Sequence, residues 1–240
     1  MKYYNVINMS SGHSKRVKGA SHYIDEVTEA IKVVNRVQAL VMERGGTCRI
    51  FHEDKATNKN DNLKNIVRWH NGFSDGIDVS VHFNAFEPTT SARGVEVLYG
   101  SPKEEASHLS AEVAKAGGFK NRGAKTGSHL YFIKNTKKKA MLIEVCFVDS
   151  KADVDLYHKN FEAICEAIAF AITGKSKPVQ NKPVENKPVD KPVENKPSEN
   201  KGEKFYRVIA GSYKDKANAE KMEAQLKKAG YDAFVDVYYK

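Results

Sequence analysis

Several things are scarce in this 240-residue chain, and each scarcity excludes something. No apolar run approaches the ~20 residues that a membrane-crossing helix requires, so no membrane partner is expected. The N-terminus, Met1-Lys2-Tyr3-Tyr4-Asn5-Val6-Ile7-Asn8, lacks the apolar stretch and small-residue cleavage site of a secretory signal. It reads as the first strand of a mature, soluble protein. Cysteine is rare: Cys48, Cys146 and Cys165 are odd in number and form no paired motif. Disulfide stapling and a cysteine-based zinc knot are therefore not expected, and free buried thiols fit synthesis in a reducing cytoplasm. No P-loop, GxGxxG, GxSxG, zinc-finger or helix-turn-helix pattern occurs.

What is present is enough apolar mass for a real core. Hydrophobic residues make up 40% of the chain, which supports one core of roughly 150 to 200 residues and excludes full disorder. The net charge of +9 suits a polyanionic partner such as nucleic acid, a membrane surface or an anionic cell wall. The missing nucleic-acid motifs weaken the first of these, and no nucleic-acid partner is expected.

Prolines mark the main boundary. Pro178, Pro183, Pro188, Pro192 and Pro197 fall in Asn-Lys-Pro-Val-like repeats between Lys175 and Lys204. This spacing blocks helix and removes backbone donors, so residues 175–204 read as an extended tether. On its N-terminal side, residues 1–174 alternate strand and helix patterns. Strands are expected at Tyr4–Met9, Cys48–His52, Val79–Asn84, Gly94–Tyr99 and Ala140–Val148. Helices are expected along Ile24, Val27, Ile31, Val34 and Val41, and over Asn62–Asn71, Lys103–Ala116 and Tyr157–Thr173. The fold class is α/β, with a mostly parallel or mixed sheet flanked by helices. The tail, residues 205–240, reads as a small βαβ module whose helix spans Lys216–Ala229. It is too small to bury much core alone.

In parallel sheets, sites gather at the carboxyl ends of strands. Three such ends carry unusual polar groups: Gly12-His13-Ser14, His82 in Ser80-Val81-His82-Phe83-Asn84-Ala85, and Glu144 in Ala140–Val148. A carboxylate inside an apolar strand costs several kcal/mol unless it is paired. Nothing in its own run pairs with Glu144, so the partner must come from elsewhere, either a metal-bound water or a lysine or arginine. Two imidazoles and one carboxylate would leave an open fourth position on Zn²⁺, as hydrolytic sites do. Pattern alone leaves the carboxylate ligand open between Glu26 and Glu29, at the start of the first helix. His52 is the rival imidazole. His22, His70, His108, His129 and His158 read as solvated.

These segments together resemble the zinc-dependent N-acetylmuramoyl-L-alanine amidases of type 3. The likeness rests on Gly12-His13, Gly19-Ala20 and the helix-opening glutamate. It continues through Ser80-Val81-His82-Phe83-Asn84-Ala85, Gly94-Val95-Glu96-Val97 and Leu142-Ile143-Glu144-Val145-Cys146-Phe147. It covers nearly all of residues 1–174 in the family's motif order and is nearest to phage endolysin amidases of Gram-positive walls. The opening motif departs from the family's common Gly-His-Gly by having Ser14.

The resemblance implies Zn²⁺ on His13, Glu26 and His82, with Glu144 as the catalytic acid–base. It selects Glu26 because the family's ligand lies about 19 residues before the glycine ending this helix, here Gly45. It further implies substrate contacts at Asn84 and Arg122, hydrolysis of the amide between muramic acid and L-alanine, and Gram-positive peptidoglycan as the partner. An endolysin of this kind would stay in the host cytoplasm until released to the wall. A leaderless bacterial autolysin and a non-catalytic wall-binding protein are the alternatives. The tail, with Phe205-Tyr206-Arg207-Val208 and Gly211-Ser212-Tyr213, resembles half of a SPOR domain. That likeness implies glycan binding or homodimerisation through this module.

Overall fold

Alternation along Ile77–Asn84 sends Ile77, Val79, Val81 and Phe83 to one face of a strand and Asp78, Ser80, His82 and Asn84 to the other. This division organises the larger part of the molecule. The structure is a computed structural model and describes residues 1–176, the helix Lys216–Lys228 and residue 235. The elements run β1 (Val6–Ser11), α1 (Glu26–Glu43), β2 (Thr47–Phe51), α2 (Lys59–His70), β3 (Ile77–Asn84), β4 (Val95–Tyr99), α3 (Lys103–Gly117), β5 (Asn121–Thr126), α4 (Tyr131–Asn135), β6 (Ala140–Phe147), α5 (Lys151–Thr173) and α6 (Lys216–Lys228). The chain divides into two compact units, Met1–Lys182 and Pro183–Lys240. Nearly all of the tether, and both strands expected in the tail, lie outside the described residues. Of the tail, the helix α6 is described, with Lys216–Glu220 and Glu223–Lys227 pairs one turn apart.

The six strands form one sheet in the order β2-β1-β3-β6-β4-β5. All neighbours are parallel except β4 and β6. On one face, α1, α3 and α5 cover Ile7, Met9, Val79, Val81, Val97, Met141 and Ile143, which form the main core with Val33, Leu40, Leu109 and Ile168. Each such side chain taken from water contributes about 1.5–3 kcal/mol. The other face carries α2 and α4 over a smaller cluster of Ile66, Val67, Phe132, Ile133, Ala140 and Leu142. Among the described residues no helix is long and apolar enough to cross a membrane. The three cysteines are free and buried.

The five strands expected in residues 1–174 all form, with shifted ends. β1 runs on through Ser10 and Ser11, because pairing with β2 and β3 continues past the apolar residues. Two elements had no apolar periodicity to reveal them. β5 is Asn-Arg-Gly-Ala-Lys-Thr, an edge strand held by β4 alone. α4 is a single short turn of helix, Tyr131–Asn135. α5 starts at Lys151 rather than Tyr157, because Ser150 caps it by accepting from the Asp153 N–H (3.2 Å).

One histidine departs from expectation. His70 is fully buried rather than solvated: Nδ1 lies 3.0 Å from Asp78 Oδ1 and Nε2 lies 3.0 Å from Ser10 Oγ. The Lys138 ammonium closes the network 3.2 Å from Asp78. Burial holds the His70 imidazole below its ordinary value of 6.5, against the pull of Asp78. The folded ring therefore stays neutral while the unfolded chain takes up a proton as pH falls below about 6.5. That stabilisation is present above this pH and is lost below it. The urea midpoint should fall between about pH 7 and pH 5, and His70→Gln should make that fall shallower. An unchanged slope in the variant would contradict this account.

Candidate metal centre

β1, β3 and β6 are adjacent and parallel, so their carboxyl ends share one edge. From β1 the chain passes through α1 to β2 on one side, whereas β3 lies on the other side of β1. The crevice between the ends of β1 and β3 is thus a topological switch point, where open α/β sheets place ligands. His13 sits on the turn after β1, and His82 lies near the end of β3. Glu144, on β6, pairs in register with His82. Glu26 is the first residue of α1, whose N-cap Asp25 accepts from the Thr28 N–H (2.8 Å).

His13, Glu26 and His82 converge, each offering a ligand atom within 4.8 Å of the others. His82 Nδ1 is 3.0 Å and His13 Nε2 3.7 Å from Glu26 Oε1, and the imidazole rings lie 5.2 Å apart. A tetrahedral divalent ion with ligands at ~2.0–2.2 Å needs donor atoms about 3.3 Å apart. The observed spacings bracket that value. Ser80 Oγ, 3.1 Å from His82 Nε2, supplies the outer partner that ligating imidazoles usually have. Glu26 is held in place by the Ala20 N–H on Oε2 (2.7 Å) and the Phe83 N–H on Oε1 (3.2 Å).

Two glycines make this approach possible. A Cβ on Gly12 would overlap the His82 ring, and one on Gly19 would strike the Glu26 carboxylate and lie 2.8 Å from His13 Cδ2. The Gly-His turn and the Gly-Ala pair are thus explained by contact alone.

Charge points the same way. Burial alone would raise the Glu26 carboxyl, but His82, His13 and the Ala20 N–H hold it below the usual range. Burial lowers His13, with His82 and Lys59 adding to the effect and Glu26 opposing it. It would lower His82 too, but the Glu26 hydrogen bond and nearby Glu144 raise that ring instead. Burial pushes Glu144 up to about 7, with Glu26 and Glu96 adding and His82 opposing. Glu144 Oε2 and His13 Nδ1 are buried without a hydrogen-bond partner. Among the described residues, neither Glu26 nor Glu144 has a lysine or arginine partner, so that reading of Glu144 falls away. A buried and a half-buried carboxylate facing two imidazoles, with no fixed cation among the described residues between them, fit a divalent metal.

The remaining candidates separate cleanly. Glu29 points into the core, accepting from Tyr157 Oη (2.9 Å) and pairing with Lys32 (2.8 Å). His52 lies between Ser11 Oγ (3.1 Å) and Asn35 Oδ1 (3.0 Å), outside the cluster. Among the other histidines, His22, His129 and His158 are exposed and His108 is half-buried. Asn84 donates to Glu96 Oε1 (3.2 Å), and Arg122 and Lys125 both donate to Glu96 Oε2. Glu96 is the antiparallel neighbour of Glu144, so three strands carry His82, Glu144 and Glu96 side by side. The role of Glu96 was not foreseen, although a carboxylate between Val95 and Val97 is the same signal that singled out Glu144. Nothing in the sequence indicated that Arg93, Phe86 and Phe147 would gather beside Asn84 and Arg122.

Comparison with known proteins bears on the family and the fold. The catalytic domain of CD27L endolysin targeting Clostridia Difficile superposes with a TM-score of 0.65 at 26% identity, covering 71% of this chain and 98% of that one. Two curated Clostridium perfringens proteins match. The Uncharacterized 38.4 kDa protein is 31% identical over 167 residues, and the Uncharacterized protein CPE1502, from strain 13 / Type A, is 30% identical over 175. The matches cover 64% and 70% of this chain, and the chain spans about half the length of both relatives, 46% and 52%. The sequence profile of the SPOR domain matches residues 186–236, a span that begins inside the proline-rich segment. The profile described as N-acetylmuramoyl-L-alanine amidase matches residues 7–174, and the chain belongs to that family.

Proposed function

We propose that the chain is a zinc-dependent peptidoglycan amidase that cleaves the bond between the lactyl group of N-acetylmuramic acid and the L-alanine of the stem peptide. The observation that carries this reading is the convergence of His13, Glu26 and His82 beside an unpaired Glu144. His13, Glu26 and His82 would hold Zn²⁺, which would supply Lewis-acid chemistry at this place: a more acidic water, with a pKa toward ~7, and compensation for charge developing on oxygen.

The chain's own residues supply the rest. Glu144 Oε2 takes the proton of the attacking water and delivers it to the departing amine nitrogen of L-alanine. Its setting suits both halves of the task, because burial raises the carboxyl while a cation beside it would lower it, and the two effects oppose each other. Ser80 fixes the His82 ring, and the N–H groups of Ala20 and Phe83 fix Glu26. Arg122 and Lys125 pair with Glu96 and so moderate the charge it presents to Glu144 from the neighbouring strand. The likeness to an endolysin catalytic domain supports action on Gram-positive walls, and the SPOR match supports wall targeting by the C-terminal segment.

Mass spectrometry of digested Gram-positive wall tests the bond assignment. Stem peptides with a free L-alanine amine are expected, and they should vanish with chelator and return with Zn²⁺. New reducing sugar ends, or cleavage within the peptide, would overturn it. Glu144→Gln should keep its zinc and lose about 10²- to 10⁴-fold in turnover.

Zinc titration separates the two helix-opening glutamates. Glu26→Gln should lose more affinity than the roughly 10–100-fold typical of an outer partner such as Ser80, whereas Glu29→Gln should bind zinc like the parent. Equal losses in both would mean the ligand assignment is wrong.

A further inference from the structure

Beside the metal centre lies a cavity of about 300 Å³ lined by Asn84, Ala85, Phe86, Arg93, Arg122 and Phe147. Its cations are arranged unusually. The Arg93 guanidinium lies 5.0 Å from the Phe86 ring centroid and 5.4 Å from that of Phe147, and the Arg122 guanidinium lies 5.0 Å from Phe147. Two guanidiniums share one aromatic ring. Arg122 spends its Nε on Glu96. Arg93 donates one amino group to the Glu87 carbonyl (2.7 Å), while its Nε is buried without an acceptor. Among the described residues Arg93 forms no ion pair.

This group is also held in advance. Asp153 accepts from the N–H groups of Arg93 (3.0 Å), Gly94 (2.9 Å) and Phe147 (3.3 Å), tying the two walls of the cavity to one carboxylate. Asp149 accepts from the Phe86 N–H (2.7 Å). Phe86 is nonetheless 71% exposed, a large apolar surface kept at the rim. A buried donor with no acceptor is rare in a native fold. A planar guanidinium stacked on an aromatic ring still presents its in-plane N–H groups, the geometry that receives a carboxylate.

We propose that this cavity binds a carboxylate of the stem peptide, the α-carboxylate of a γ-linked D-glutamyl residue following L-alanine. The proposal rests on the amidase reading above. In the intact substrate the lactyl carboxyl of the sugar is tied up in the scissile amide, so a free carboxylate has to lie on the peptide side. Asn84 is two strand residues beyond His82, about 7 Å along the sheet. That is comparable with the reach from the scissile nitrogen to the α-carboxylate of the second stem residue: about 1.5 Å to the alanine Cα, about 3.8 Å to the next Cα and about 1.5 Å to its carboxyl carbon.

Two soluble substrates differing in one group test it: N-acetylmuramoyl-L-alanyl-γ-D-glutamyl-L-lysinamide and its amidated counterpart, N-acetylmuramoyl-L-alanyl-D-isoglutaminyl-L-lysinamide, in both of which the γ-carboxyl is tied up in the next peptide bond. The zinc-loaded full chain should prefer the free carboxylate about 10-fold or more in kcat/KM, chiefly through KM. Arg93→Gln should bring that ratio toward one, and Arg93→Lys, which keeps the charge but loses the planar fork, should fall between. Equal kcat/KM for the two substrates in the parent chain, or a ratio that survives Arg93→Gln, would overturn the proposal. So would relief by Arg93→Gln of inhibition by free N-acetylmuramic acid without any difference between the substrates, since the cavity would then hold the product. If neither substrate is cleaved, the amidase reading fails. Calorimetric binding of the two to Glu144→Gln then decides the cavity separately, equal affinities overturning it and a carboxylate preference supporting it.

Discussion

Two carboxylates, the buried Glu26 and the half-buried Glu144 with its Oε2 shielded, sit at the end of a parallel sheet with imidazoles for company and no lysine or arginine among the described residues to balance them. In a low-dielectric setting such charge is costly unless a cation or a proton compensates it. Burial raises the Glu144 carboxyl, and the Glu26 hydrogen bond and nearby Glu144 raise the His82 ring, so both groups hold a proton more readily than in water. A divalent ion meets the same demand better, because it also satisfies His13 and Glu26 at the spacing they already hold. The other features of the centre follow from keeping this uncompensated charge in one place.

The fold supplies that place through its strand order. A reversal between β1 and β3 opens a crevice at their carboxyl ends, and the start of α1 brings Glu26 into it from the helical layer. Close approach then excludes side chains at Gly12 and Gly19. On the same sheet face, the buried His70–Asp78–Ser10 network fills the space beneath with paired polar groups. A centre of this kind is rigid because its neighbours have no room to move.

Across β6 the pattern changes from deficit to excess. Glu96 is fully paired with Arg122 and Lys125, while Arg93 carries a charge that no carboxylate among the described residues meets. The molecule thus presents a cation-seeking pocket and an anion-seeking cavity a few strand residues apart. A substrate with an amide to be cleaved at one end and a carboxylate further along its peptide would complement both. Asp153 couples the two regions structurally, since it caps the approach of Arg93 and Phe147 just beyond Glu144.

Much of this was legible in the residues alone. The strands around Val79–Asn84 and Ala140–Val148, the helix ending before Gly45 and the isolation of Glu144 all follow from periodicity and from the cost of an apolar strand holding a charge. Those signals are local, carried by residues within one turn or one strand. The polar edge strand Asn121–Thr126, the burial of His70 and the choice of Glu26 over Glu29 were not readable in the same way. Each depends on which segments become neighbours in space: β5 exists because β4 pairs with it, and Glu29 is structural because Tyr157 reaches it. Chain order dictated the chemistry available at every strand end, whereas sheet order selected which of those ends met, because pairing and packing act through space and leave no periodic trace in the string of residues.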